Sequence, residues 1–404
     1  MGREGPIVQI GSAWGSAVGQ FLGVGPRQLR TLVACGAAAG IAATFNAPIA
    51  GAFFATEVIL GEFSARNFTP VVISSVAATV VGHAFFGDLP AFVLPAYELR
   101  HPMELIAYVV LGILAAVVAT SFIHLLHFSE DVFEKSRLVP SVRAAFGGLL
   151  VGCIALFFPD VFGLGYAAIE SALAGGTTTF ILLSLLGVKS LATCITLGSG
   201  GSGGIFAPSL FLGAMTGGLV GAAVQLAFPG HVAPPGSYAL VGMAAVVAAT
   251  THAPMSAIFI LFELTNDYQL ILPLMTTCVL ATLFAGRLNK DSIYTAKLRR
   301  RGINIAGGQV VDLLRDDQVR EIVSQAATTV LPSADIPTLE QNIMTSATAM
   351  NSPSLIRANG KASCVFERSC LVIARRSPSS RLAQTSRANR ARSRHRTREG
   401  CSEL

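Results

Sequence analysis

The chain has 404 residues, 52% of them hydrophobic and 13% charged, with a mean hydropathy of +0.60. Soluble domains carry roughly 25% charged residues, so composition sets this chain among integral membrane proteins and apart from soluble enzymes and binding domains. Its formal charge is +6, but residues 355–404 hold twelve Lys and Arg against three Asp and Glu, a balance of +9 that leaves residues 1–354 at −3. The basic character therefore belongs to a tail.

The first predicted element follows "MGREGPIVQIG": an apolar segment over 7–22 in which Gly11, Gly15 and Gly19 recur every fourth residue. Small residues at that spacing fall on one helix face and let two helices approach closely. Further apolar cores follow at 29–45, 48–60, 70–86, 105–128, 142–158, 180–197, 206–226, 238–249, 255–264 and 270–285. Several are shorter than the roughly 20 residues that span a bilayer, and short, Gly- and Pro-interrupted segments mark the broken helices of transporters. His124 and His127, followed by Glu130 and Asp131, read as an interfacial pair at a helix end rather than as a metal site. Lys297, Arg299, Arg300 and Arg301 follow the last apolar run, and such a cluster favours the cytoplasmic side.

Other signals are weaker. "GSGGSGG" at 198–204 contains a GxGxxG pattern but lacks the preceding strand and later acidic residue of a dinucleotide site. Seven cysteines without a CxxC pair indicate neither a disulfide framework nor a zinc site. No nucleophile–base arrangement stands out, so no enzymatic activity, cofactor or metal is expected. Nor is the Ser- and Arg-rich tail expected to bind nucleic acid; it reads as disordered.

Two stretches of the chain repeat. Gly2-Arg3-Glu4-Gly5-Pro6 matches Gly204-Ile205-Phe206-Ala207-Pro208, each opening a glycine-rich apolar segment. Asn46-Ala47-Pro48 followed by Glu57 matches His252-Ala253-Pro254 followed by Glu263. Internal duplication is common among secondary transporters, which bind substrate at the ends of broken helices. A helix N-terminus offers unpaired N–H groups and a positive dipole end, which suits an anion. Pro is accommodated in the first turn, and glycine lets an ion reach the backbone. The alternative is that both motifs are tight turns between packed helices.

The quoted motifs identify a resemblance. "GREGP", "GGIFAP" and the Tyr of "SIYTAKL", with the intervening "GAAAGIAATFNAPIAGAFFATE" and "HAPMSAIFILFELTNDYQLILP", resemble the CLC family of chloride channels and chloride/proton antiporters. The resemblance implies an all-α integral membrane protein with an inverted repeat of broken helices, a multi-pass chain in a cell or inner membrane, and a homodimer with one pore per subunit. It implies a transmembrane domain over 1–305, a partial CBS-like cytoplasmic segment with some β structure over 306–353, and a basic tail over 354–404. Glu4 matches the gating glutamate. Arg3, Gly5, Ile205, Phe206 and Ala207 match the backbone anion-binding positions, and Tyr294 matches the phenol on the inner side.

The physical reasons fit that assignment. Amides and a phenol solvate chloride or a similar anion without a full countercharge, so the ion binds and still leaves. A carboxyl in a dry site more readily holds a proton, which would couple its swing to protons. Val58 stands where antiporters commonly carry an inner proton-transfer glutamate, and an aliphatic side chain relays no proton. Glu57 beside it reads as structural. The Ser-bearing first signature, expected tens of residues ahead of "GREGP", is absent, so an N-terminally truncated member lacking the early helices of the first repeat is expected. The functional expectation is chloride transport, channel-like or weakly proton-coupled. The alternatives are a proton-coupled antiporter and a non-transporting fragment.

Overall fold

The computed structural model describes residues 2–87, 104–136, 139–229 and 232–300, and short strands at 305–306, 309–310, 356–358 and 361–363. The chain divides into two compact units, Met1–Asp312 and Leu313–Leu404. The expected CBS-like segment over 306–353 and the basic tail over 354–404 lie almost wholly outside the described residues. What is described of them is β1 (Ile305–Ala306) paired antiparallel with β2 (Gln309–Val310), and β3 (Ile356–Ala358) paired antiparallel with β4 (Lys361–Ser363).

In the first unit, α1 (Glu4–Phe21) lies along α2 (Pro26–Phe45), which leads through a break to α3 (Pro48–Phe54) and a π-helical turn, Ala55–Leu60. Next come α4 (Ala65–Phe86), α5 (Glu104–Lys135), α6 (Pro140–Phe157), α7 (Tyr166–Leu173) and α8 (Thr179–Gly198). The second half then repeats the opening: α9 (Phe206–Ala227) lies along α10 (Pro235–Thr251), a break follows, and α11 (Pro254–Thr265) begins. Helices α12 (Ile271–Leu288) and α13 (Ile293–Arg300) complete the unit.

Both helix pairs pack through glycine. A Cβ on Gly11 would lie 2.2 Å from the Gly36 carbonyl oxygen, and one on Gly15 would lie 2.2 Å from that of Leu32. In the second half a Cβ on Gly217 would lie 2.0 Å from the Tyr238 carbonyl oxygen, and one on Gly213 would lie 2.4 Å from that of Gly242. No side chain fits at such separations, so backbone rests on backbone. The stripe at Gly11, Gly15 and Gly19 is thus the α1–α2 contact. Its counterpart at Gly213, Gly217 and Gly221, 202 residues later, is the α9–α10 contact.

The two breaks repeat as well. Asn46 (φ 55°, ψ 39°) ends α2 and His252 (φ 56°, ψ 35°) ends α10, both left-handed. Asn and His are among the residues that tolerate this region. Ala47 and Ala253 then adopt nearly the same non-helical conformation, with φ/ψ of −133°/81° and −128°/75°, outside the α region that a following proline disfavours. Each proline opens the next helix, where its missing N–H costs nothing.

One expectation needs correction, and one local feature is new. The helix carrying His124 and His127 does not end there but runs to Lys135, because its last turns pack on α8, where the Ser129 hydroxyl donates to the Cys194 carbonyl at 2.7 Å. Glu57 and Val58 do not sit on an α-helix: Ala55–Leu60 is π-helical, a wider turn that is frequent at functional sites.

Among the described residues, seven helical segments are long and apolar enough to cross a membrane, including α4, α5, α6, α8 and α9. Their outward faces carry large apolar side chains, such as Ile73 on α4 and Leu156 on α6, which suits contact with hydrocarbon. The core lies around α9 and α10, which are buried along most of their length.

Candidate functional site

The site forms where the first turns of α1 and α9 meet. The Gly204 N–H donates to the Gly2 carbonyl at 2.8 Å, an isolated antiparallel bridge joining the two repeat motifs. A Cβ on Gly5 would lie 2.9 Å from the Gly204 Cα, so glycine at both places lets the two loops touch. The intrahelical ladders start with Ile7 N–H donating to the Arg3 carbonyl and Ser209 N–H donating to the Ile205 carbonyl, each at 3.1 Å. The amides of Glu4 and Gly5, and those of Phe206 and Ala207, precede those ladders and have no intrahelical acceptor. Pro6 and Pro208 contribute no N–H at all. Neither N-cap residue, Arg3 or Ile205, satisfies these amides with its side chain. Two helix N-termini, with their positive dipole ends, thus converge on one point.

Glu4 occupies that point. It is 1% exposed, and neither carboxylate oxygen has a hydrogen-bond partner among the described residues. Its head folds back over the loop: a Cβ built on Gly2 would lie 1.9 Å from Glu4 Oε2 and 3.0 Å from the Ala207 Cβ. The carboxylate therefore sits between Gly2 and the first turn of α9. A buried carboxylate with no donor of its own is costly, and two helix dipoles supply the compensating field.

Around this point Phe206 and Ala207 are buried. Ile205 packs on the same apolar cluster as Tyr294, the second residue of α13. Helix α13 is held by a reciprocal cap, Ser292 N–H to Thr295 Oγ1 at 2.9 Å and Thr295 N–H to Ser292 Oγ at 3.2 Å, and by an Asp291–Arg299 ion pair at 2.7 Å. The structure thus brings Arg3, Glu4, Gly5, Ile205, Phe206 and Ala207 together and packs Tyr294 on the same apolar cluster as Ile205. Val58 is half-buried and packs against the main core cluster, of which Phe206 is also a member.

One polar group near the site escaped sequence reasoning. Lys189 on α8 is 2% exposed and donates to the Val161 carbonyl at 2.8 Å and the Gly163 carbonyl at 2.9 Å, with its ammonium 5.0 Å from the centre of the Phe211 ring on α9. Carbonyl dipoles and the ring face stabilise the cation. A single Lys inside the apolar run 180–197 was the available signal.

An all-helical bundle with two broken-helix N-termini meeting at a buried carboxylate defines an integral membrane protein of the inverted-repeat transporter class. The family described as voltage gated chloride channel matches residues 1–286, and the chain belongs to that family. It is 38% identical over 304 residues to the ClcB-like chloride channel protein of Ralstonia nicotianae, covering 74% of this chain and 71% of that one. It is 36% identical over 307 residues to the H(+)/Cl(−) exchange transporter ClcA of Vibrio cholerae, covering 74% of this chain and 66% of the relative. The crystal structure of a slow cyanobacterial Cl−/H+ antiporter superposes with a TM-score of 0.68 at 32% identity, covering 74% of this chain and 71% of that one.

Proposed function

We propose that the chain moves chloride or a similar anion across a membrane, in a channel-like or weakly proton-coupled manner. The observation that carries this reading is the Gly204–Gly2 bridge, which sets two helix N-termini against each other with the buried Glu4 carboxylate between them. A carboxylate side chain buried beside the unpaired first-turn amides of two helices stands near where those amides would solvate an anion. An entering anion competes with it, and a proton on Glu4 removes the competitor. In this reading Glu4 is the gate. The backbone at Arg3, Gly5, Ile205, Phe206 and Ala207 solvates the ion, and Tyr294 donates from the inner side. The chemistry is transport without a covalent step, so no enzyme activity or cofactor enters.

Val58 supports weak coupling, because an aliphatic side chain at the inner position transfers no proton. The second reading, a tightly proton-coupled antiporter, is favoured by Glu4 itself and by the resemblance to the Vibrio cholerae exchanger and the cyanobacterial antiporter. The proposal includes two subunits with separate pores in a lipid bilayer and a cytoplasmic C-terminus, the last from the basic cluster at 297–301.

The test is flux from liposomes holding the purified chain. Chloride efflux with little accompanying proton movement is expected. Stoichiometric uphill proton transport driven by a chloride gradient would replace the channel-like reading with the antiporter, and absence of chloride flux would refute both.

A further inference from the structure

Each half of the repeat supplies one carboxylate to the other half. Glu57, in the π-helical turn after α3, accepts hydrogen bonds from Met255 N–H at 3.2 Å, Ser256 N–H at 2.8 Å and the Ser256 hydroxyl at 2.6 Å. Glu263, on α11, accepts from Ile49 N–H at 2.9 Å and Ala50 N–H at 2.7 Å. These amides directly follow Pro48 and Pro254, so they are the first donors of α3 and α11. The N-cap residues there are Ala47 and Ala253, whose side chains cap nothing. The orphan amides of each half-helix are instead satisfied by a carboxylate from the other half, and the dipoles favour its charge.

What the pair holds in place leads back to the anion site. One residue before the first break, the Phe45 ring lies 5.3 Å from that of Phe206. Two residues before the second break, the Thr250 hydroxyl, which donates to the Val246 carbonyl of its own helix at 2.9 Å, packs 3.4 Å from Ser209 Oγ, and the Ser209 hydroxyl donates to the Ile205 carbonyl at 2.8 Å. Each capped half-helix is thus tied, across its short break, to one side of the Ile205–Ser209 turn.

We propose that Glu57 and Glu263 form a reciprocal carboxylate clamp that fixes α3 against α11 and thereby positions the Ile205–Ser209 turn for the anion. They are positioning residues and do not touch the ion. The assignment deepens the anion-transport reading and rests on it. Ile49, Ala50, Met255 and Ser256 meet the two carboxylates with N–H and O–H donors, so an acceptor is required at both places. Glutamine, with one oxygen replaced by NH2, presents a donor to a donor.

The experiment is chloride titration calorimetry with a parallel melting curve on the full chain in detergent. The variants are Glu57→Gln, Glu263→Gln, and Leu274→Ala, a core cavity on α12 at a residue that belongs neither to the clamp nor to the anion site. The clamp variants should bind chloride roughly 3- to 10-fold more weakly, whereas Leu274→Ala should melt earlier with its chloride affinity unchanged. Clamp variants that melt earlier yet bind chloride within about twofold of the parent, less than this range of coupling, would overturn the proposal. If both glutamine variants fail to fold, Ser256→Ala decides. It removes only the hydroxyl donor to Glu57 and should weaken chloride about twofold; unchanged affinity in that variant overturns the clamp. A parent chain that folds but binds no chloride refutes the anion reading, and the clamp falls with it.

Discussion

Helix pairs α1–α2 and α9–α10 are built on one rule and end in different surroundings. Both have a glycine stripe, a Gly-x-x-x-Pro start and a left-handed break. Yet on α1 Trp14 is 69% and Phe21 91% exposed, while α9 from Phe206 to Gly218 is fully buried. The second pair is enclosed by α5, α7, α8 and α12; α1 rests chiefly on α2. The chemistry diverges too. At the third position of the shared motif the first half carries Glu4 and the second carries Phe206. The repeat sets local geometry, and the surroundings decide how much a helix can move and which half supplies the charge.

The largest effect is expected where backbone contact and enclosure coincide. Gly217→Ala forces a methyl against the Tyr238 carbonyl with helices on the remaining sides, and should destabilise by about 3 kcal/mol or more. Gly15→Ala makes a similar clash with Leu32, but α1 has freedom to shift outward and should lose only about 1–2 kcal/mol. Melting in detergent compares them, and equal losses would break the distinction. Lys189→Met keeps the apolar stem and removes the donor to Val161 and Gly163, which should cost about 2 kcal/mol by the same measurement.

Glu4→Ala makes the two motifs alike in lacking a charge. Its effect is on function and leaves the fold largely intact. Protonation neutralises the competing carboxylate, so chloride efflux from the parent chain should rise as pH falls. In the variant efflux should stay within about twofold from roughly pH 4 to 7.5, a range that includes ordinary carboxyl titration. A variant that keeps the parent's pH profile would remove Glu4 from the gate. The smallest effect belongs to Trp14→Ala, on the exposed face of α1, which should shift stability by no more than about 0.5 kcal/mol.

Much of this was legible in the residues. The apolar segments located the helices because a bilayer-spanning helix must hide its backbone polar groups, and the Gly11–Gly15–Gly19 spacing marked a close contact because helical periodicity is local. The motif pairs at Gly2 and Gly204, and at Asn46 and His252, located both helix starts at the site because turn chemistry is local as well. Lys189 was not legible: nothing in an apolar run says that two carbonyls from residues 161 and 163 will meet its ammonium.

By itself the sequence determined the membrane class, the repeat, the breaks and the residues that open α1 and α9, since each follows from hydropathy, spacing or backbone preference within a few positions. Tertiary structure alone decided that those starts touch through Gly204 and Gly2, that Glu4 folds between them, and that Glu57 and Glu263 exchange partners across about two hundred residues of chain. The physical reason is that a carboxylate's role depends on which donors surround it, and here the donors come from the opposite half of the molecule.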